Sequence, residues 1–230
     1  MATDDAADFT LGVLMLNTRF PRPPGDIGNP ASFCHRVLYA TVDAARVPAV
    51  VSTRIDEALI EDFAEAGQTL IAQGADMLAT SCGFVCAIHD RLQARLPVPL
   101  VSSALNLTPV LASRYAERGP IGVMTFDANT LSEAHFGRFW RSPLVVQGLQ
   151  ESREFYPTIR YDRERWRAEL VEAEIDAAAA ALIEKHPDTA ALLLECTNLS
   201  PYRERLAERA RLPVYDIHAA IDWVRRHGPF

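Results

Sequence analysis

Short apolar runs, many of them β-branched, alternate along this chain with longer amphipathic stretches. Strands are predicted at residues 11–16, 77–80, 98–102, 121–126, 144–148, 191–195 and 213–216, with a weaker one at 36–42. Runs that are apolar on both faces suit parallel strands covered by helices on each side. Ile55, Leu59, Phe63, Ala66 and Leu70 recur at helical spacing and predict a helix over about 55–72. Thr53 and Asp56 supply a capping pair at its start, and Gly74 stands where a C-cap belongs. Trp166, Leu170, Ala173, Ala177 and Ala181 predict a second long helix over 163–185, closed by Pro187. The alternation as a whole predicts an α/β fold of mostly parallel sheet flanked by helices.

The pattern also repeats. LGVLMLNT, starting at Leu11, resembles IGVMTFDA, starting at Ile121, 110 residues later. DMLATSCGF carries Cys82 and ALLLECTNL carries Cys196, 114 residues apart, and Pro99 answers Pro213 at the same spacing. Two similar halves, each with a strand that ends in a cysteine, explain all three correspondences.

Composition narrows the function. The chain has 230 residues, 49% of them hydrophobic, enough to bury a sizeable core. A net charge of −7 and a pI near 5.4, without any basic tract, argue against a nucleic-acid partner. Met1 to Asp8 contain three aspartates and neither the basic nor the apolar part of a secretory signal. No run reaches the roughly 20 apolar residues of a membrane helix. A soluble, cytoplasmic protein without a membrane partner is expected. Cys34, Cys82, Cys86 and Cys196 are then expected as reduced thiols. No cysteine pair has the two-residue gap of a zinc knuckle, so no metal site is expected.

Ligands of open parallel sheets sit beyond the carboxyl ends of strands, where the chain turns into the next helix. Cys82 and Cys196 both occupy that position, and unpaired N–H groups there favour thiolate. A pseudo-twofold arrangement would set the two thiols on opposite sides of a central cleft. That geometry suits removal of a proton from one face of a carbon and its return to the other. Cys86, one helical turn beyond Cys82, and Cys34 are read as structural. Asp216 beside His218 is explained by a helix N-cap. Glu195 is expected to point to the opposite face of its strand from Cys196, which leaves it outside the catalytic set.

The strings LGVLMLNT, ATSCGF, GPIGVMTF and ECTNLSPY, in this order and separation, resemble the motifs of the aspartate/glutamate racemase superfamily, which includes hydantoin racemases. The resemblance implies two pseudo-symmetric α/β lobes with the active site between them. The first would span residues 1–117, completed by 212–230, and the second 118–211. It implies homodimers, a small-molecule carboxylate substrate and no cofactor. It carries the proton-transfer thiols onto Cys82 and Cys196. Substrate contacts fall on Asn17 and Thr18 after the first strand, on Ser81, Gly83 and Phe84 around Cys82, on Thr125, and on Thr197 and Asn198.

The expected activity is a PLP-independent racemase or epimerase of an amino acid or hydantoin-like acid, an isomerase. Many amino-acid racemases have asparagine and threonine directly after the first cysteine, whereas this chain has Gly83 and Phe84. The change removes polar contacts and adds an aromatic wall. Two alternatives follow: a decarboxylase or cis–trans isomerase of malonate or maleate type, or a non-catalytic carboxylate-binding protein. Residues 19–33 form a long Pro- and Gly-rich loop of the kind that serves as a lid. Its Arg19 and Arg22 are read as surface residues.

Overall fold

The computed structural model describes residues 9–230; Met1 to Asp8, considered above for a targeting signal, lie outside the described residues. Eight strands, β1 (Thr10–Leu16), β2 (Arg36–Val42), β3 (Met77–Thr80), β4 (Leu100–Val101), β5 (Ile121–Thr125), β6 (Leu144–Gly148), β7 (Ala191–Leu194) and β8 (Val214–Tyr215), form two four-stranded parallel sheets. Their orders, β2-β1-β3-β4 and β6-β5-β7-β8, are the same order shifted by four strands. The internal repeat is therefore a repeat of topology, and the expected two-lobed α/β fold is what the chain adopts.

Three cores account for the layers. The helix Glu57–Ala72 packs Leu59, Ile60, Phe63 and Leu70 against Leu14 and Leu78 of the first sheet. In the second lobe, Val171, Ile175, Ala179 and Leu182 of the helix Ala168–Lys185 cover Met124, Leu192 and Leu194. The opposite faces of both sheets share a central core, in which Leu11, Val13 and Val101 join Ile121, Val123 and Leu193. Every residue of β1, β3, β5 and β7 is buried, as continuous apolar runs require.

Differences from the expected boundaries have local causes. The first long helix starts at Glu57, where the Asp56 side chain accepts from Ala58 N at 2.9 Å; Thr53 takes no part. The second starts at Ala168 rather than near 163, because Glu154 holds the backbone N–H and guanidinium of Arg167 in an extended approach. The last segment divides between the lobes. β8 pairs with β7 in the second sheet, matching the place of β4 in the first, whereas residues 212–230 were expected to complete the first lobe as a unit. The helix Ile217–His227 then sends Ile217, Ala220, Ile221 and Val224 into the central core beside Ala104 and Leu105. Among the described residues no helix is long and apolar enough to cross a membrane.

Gly12 and Gly122 occupy equivalent places in β1 and β5 and show how tightly each helix sits on its sheet. A Cβ on Gly12 would lie 2.6 Å from Leu78 Cδ2, and one on Gly122 would lie 2.8 Å from Leu182 Cδ2. Replacing either glycine by valine should therefore cost about 1–3 kcal/mol through overpacking. Thermal unfolding of the two variants checks this, with Tm expected to fall by several degrees in each; unchanged Tm in both would contradict the packing described.

Candidate active site

The duplicated strands deliver the two cysteines to one place. After β3 come Ser81 and Cys82, and then a 3-10 turn, Gly83–Ile88; after β7 come Glu195 and Cys196, and then the 3-10 turn Thr197–Tyr202. Each cysteine is the extended residue that opens its turn. Thr197 Oγ1 donates to the carbonyl of Ser81 at 2.8 Å, joining the two strand ends, and Ser81 Oγ accepts from Leu16 N at 2.9 Å. Both thiols line a single cavity of about 20 Å³, room for one water. Ser81, Gly83, Phe84, Glu195 and Asn198 share its wall, and Leu16, Phe20, Val47, Val51, Phe126 and Ile159 complete an apolar, ring-rich lining.

Six of the expected site residues thus meet at the cavity: Ser81, Cys82, Gly83, Phe84, Cys196 and Asn198. The other four do not line it. Asn17 turns outward and donates from Nδ2 to the carbonyl of Asp43 at 3.1 Å, fastening the end of β1 to the loop beyond β2. Thr18 accepts from Arg22 Nη2 at 3.1 Å. Thr125 and Thr197 are buried behind the wall, where each holds another member of it in place. Cys86 is buried away from the cavity against Asn106 and Phe136, and Cys34 is exposed in a separate hollow with His35 and His218. Asp216 caps Ala219 N at 3.0 Å.

Glu195 is the residue that strand alternation misplaced. β7 ends at Leu194, so residue 195 lies beyond the pleat, and its side chain turns into the cavity wall although its neighbour Cys196 does so too. It is 1% exposed. Thr125 Oγ1 donates to its Oε2 at 2.7 Å and Phe126 N approaches the same oxygen at 3.5 Å; Oε1 has no partner. A Cβ on Gly83 would collide with both Oε1 and the carbonyl of Glu195, so only glycine admits this approach beside Cys82. The sign in the sequence was a lone acid closing an apolar strand, ALLLE.

Electrostatics here contradict the expectation of ready thiolates. Burial, reinforced by the charge of Glu195, pushes Cys82 up to about 12, against the opposing pull of the Phe84 and Val85 N–H groups and Arg22. The same two causes raise Cys196 well above a free thiol, with only Asn198 N–H, in the turn, opposing them. Burial raises Glu195 itself to about 7. In this dry cavity desolvation outweighs the backbone N–H groups.

The loop 19–33 closes over the site and ties to it. Asp26, fully buried, accepts from Arg22 Nη1 at 2.9 Å, Gly28 N at 2.7 Å and Asn198 Nδ2 at 2.8 Å, while Cys196 Sγ donates to Asn198 Oδ1 at 3.6 Å. Arg22 is therefore not a surface residue: its side chain is 11% exposed and its guanidinium lies 4.7 Å from the Phe20 ring centroid. Arg19 does stay exposed, paired with Asp162 and Glu164 of the other lobe.

The family model for Asp/Glu/Hydantoin racemase matches residues 30–223. The chain belongs to this family. Solved structures that it resembles include allantoin racemase from Klebsiella pneumoniae (TM-score 0.60, 13% identity, covering 96% of this chain and 89% of that one) and unliganded arylmalonate decarboxylase (TM-score 0.56, 14% identity, covering 94% and 91%). These likenesses are of fold.

Among curated proteins it is similar to dimethylsulfoniopropionate lyase from Durusdinium sp. clade D, 28% identical over 225 residues, covering 94% of this chain and 74% of that protein. It is also similar to dimethylsulfoniopropionate lyase 7 from Emiliania huxleyi (strain CCMP1516), 27% identical over 223 residues, covering 90% and 63%. The chain thus spans between about three fifths and three quarters of these relatives. They overturn the expectation of a racemase or other isomerase and favour lyase chemistry, the direction of the decarboxylase alternative.

Glu195 makes stability depend on pH. A buried carboxyl whose value rises from 4.5 to about 7 binds its proton more tightly folded than unfolded. Its contribution is complete below 4.5 and is lost as pH climbs through 7, on the order of 3 kcal/mol in all. His89, which burial pushes down to about 4, acts with the opposite sign across part of the same window. The difference between wild type and Glu195→Gln isolates the carboxyl. Urea unfolding should show the variant gaining on wild type from pH 5 to about pH 7 and levelling off by pH 8; a constant difference throughout would contradict a buried, protonated Glu195.

Proposed function

We propose that the protein is a lyase that removes the proton α to a carboxylate and expels a sulfide from the β-carbon, with a dialkylsulfoniopropionate as its substrate class. The relatives named for dimethylsulfoniopropionate support the class. The observation that carries the reading at the site is its lining: two thiols and a carboxyl set among the rings of Phe20, Phe84 and Phe126. Such a cavity resists a thiolate until a cation accompanies it, and a sulfonium group against aromatic faces is a cation of the right kind. Substrate binding would then supply the counter-charge that lowers the thiol.

Cys82 is the base in this proposal, because two turn N–H groups and Arg22 favour its thiolate, whereas Cys196 has one N–H group in its favour and Asp26 against it. The Cys82 sulfur takes the α-proton, that C–H pair becomes the new carbon–carbon double bond, and the Cβ–S bond breaks with its pair staying on sulfur. Acrylate and neutral dimethyl sulfide leave, and Cys82 returns its proton to solvent. Cys196 stays a thiol donating to Asn198 and shapes the site from the other side. A cavity with room for one water must widen to admit such a substrate, and Phe20 on the loop 19–33 is the wall attached to a lid.

Headspace measurement of dimethyl sulfide, with acrylate followed by NMR, tests the assignment. Cys82→Ser should lower kcat by about 10²- to 10⁴-fold, the usual weight of a general base. Cys196→Ser should keep measurable turnover. Wild-type release from Cys82→Ser, or no sulfide from the wild type, would overturn the proposal.

A further inference from the structure

The mechanism above leaves one polar group of the cavity unused. Glu195 Oε1 is buried without a hydrogen-bond partner, while both donors that reach the carboxyl, Thr125 Oγ1 and Phe126 N, reach the other oxygen. An orphaned carboxylate oxygen in an apolar wall is costly; a neutral carboxylic acid costs less, and an O–H there lacks an acceptor until one is bound. Oε2 accepts from two donors, which leaves Oε1 as the oxygen free to carry a proton. Gly83, bare of a side chain, lets this O–H approach the turn that opens at Cys82.

We propose that Glu195 is the neutral acid of the site, holding its proton on Oε1 and donating it as a hydrogen bond to the carboxylate of a bound substrate, so that carboxylate binding is linked to retention or uptake of one proton. The inference rests on the reading of the cavity as a carboxylate site. Two carboxyl groups brought together in one dry space share a proton, because like charges there cannot both ionise. As the α-proton leaves, negative charge grows on the substrate carboxylate and the Oε1 hydrogen bond strengthens with it, which is the direction that accelerates the step.

The surroundings bear on the sign. Cys82 and Cys196 flank Glu195 as thiols, and its charge acts on both and on Cys86 behind them. Arg22 is committed to Asp26 and Thr18. His135 packs edge-on behind Phe84, with its ring nitrogens engaged by Ser132 and the carbonyl of Ser52. Among the described residues no Arg or Lys pairs with Glu195 to hold it ionised, and burial raises it to about 7.

Propionate, a carboxylate without a leaving group, is the probe. Calorimetric titration in buffers of different ionisation enthalpy should show proton uptake on binding that rises toward one per propionate above pH 7. Affinity should weaken by about fiftyfold between pH 7 and 9, approaching tenfold per pH unit at the upper end. Glu195→Gln keeps an N–H donor in place of O–H, and its affinity should be flat across this range. Thr125→Val, which removes a donor from Oε2, should move the midpoint to higher pH, a shift that a merely structural role would not produce. Propionamide should bind the wild type without pH dependence. No saturable propionate binding at pH 6, or wild type and Glu195→Gln showing the same pH slope, would overturn the proposal. Proton-linked binding without release of dimethyl sulfide would uphold Glu195 while refuting the lyase reading; sulfide release with binding indifferent to pH would do the reverse.

Discussion

The meeting of two strand ends is the constraint on which the rest of this molecule depends. β3 and β7 belong to different sheets, yet Thr197 donates across to the carbonyl of Ser81, and Glu195 packs onto Gly83 so closely that no other residue would fit. Both contacts lie within one residue of a cysteine. The shared central core brings the sheets face to face, but these contacts decide that the two thiols look into the same small cavity rather than into separate ones. Arg22, Asp26 and Asn198 then bind the overlying loop to the second strand end, as a buried ion pair with its hydrogen bonds satisfied. Removing one partner of such a pair strands a buried charge, so the loop and the site stand or fall together.

That closeness has a chemical price. Three groups able to become anions share an apolar space, and in low dielectric they suppress one another. Such a site holds its protons until charge arrives from outside. A substrate carrying both a cation and a carboxylate changes the balance at two points, relieving a thiol with the one and engaging a neutral acid with the other.

Much of this was legible in the residues. Apolar runs located the strands, and the repeat at 110 and 114 residues revealed two lobes and paired Cys82 with Cys196. Short-range signals also placed the Asp56 and Asp216 caps. What escaped was whatever depends on contact between the lobes. Alternation along β7 could not place Glu195, because the strand stops one residue earlier and both its faces are buried. Phe20, Phe126 and Ile159 come from three separate stretches, and nothing local marks them as one wall. Arg22 looked like a surface residue because its partner Asp26 is recognisable only once the loop has folded. Family motifs conveyed the fold and the thiols, while the proposed reaction draws on relatives and on a lining poor in polar contacts.

The central claim, that this cavity removes an α-proton and breaks a carbon–sulfur bond by elimination, is tested most directly with dimethylsulfoniopropionate deuterated at both positions of C2. The account predicts acrylate that retains one deuterium at C2 for every dimethyl sulfide released, the other having passed through Cys82 to water. Release of dimethyl sulfide with both deuterium atoms retained in a 3-hydroxypropionate product would show displacement at the β-carbon instead, and would contradict it.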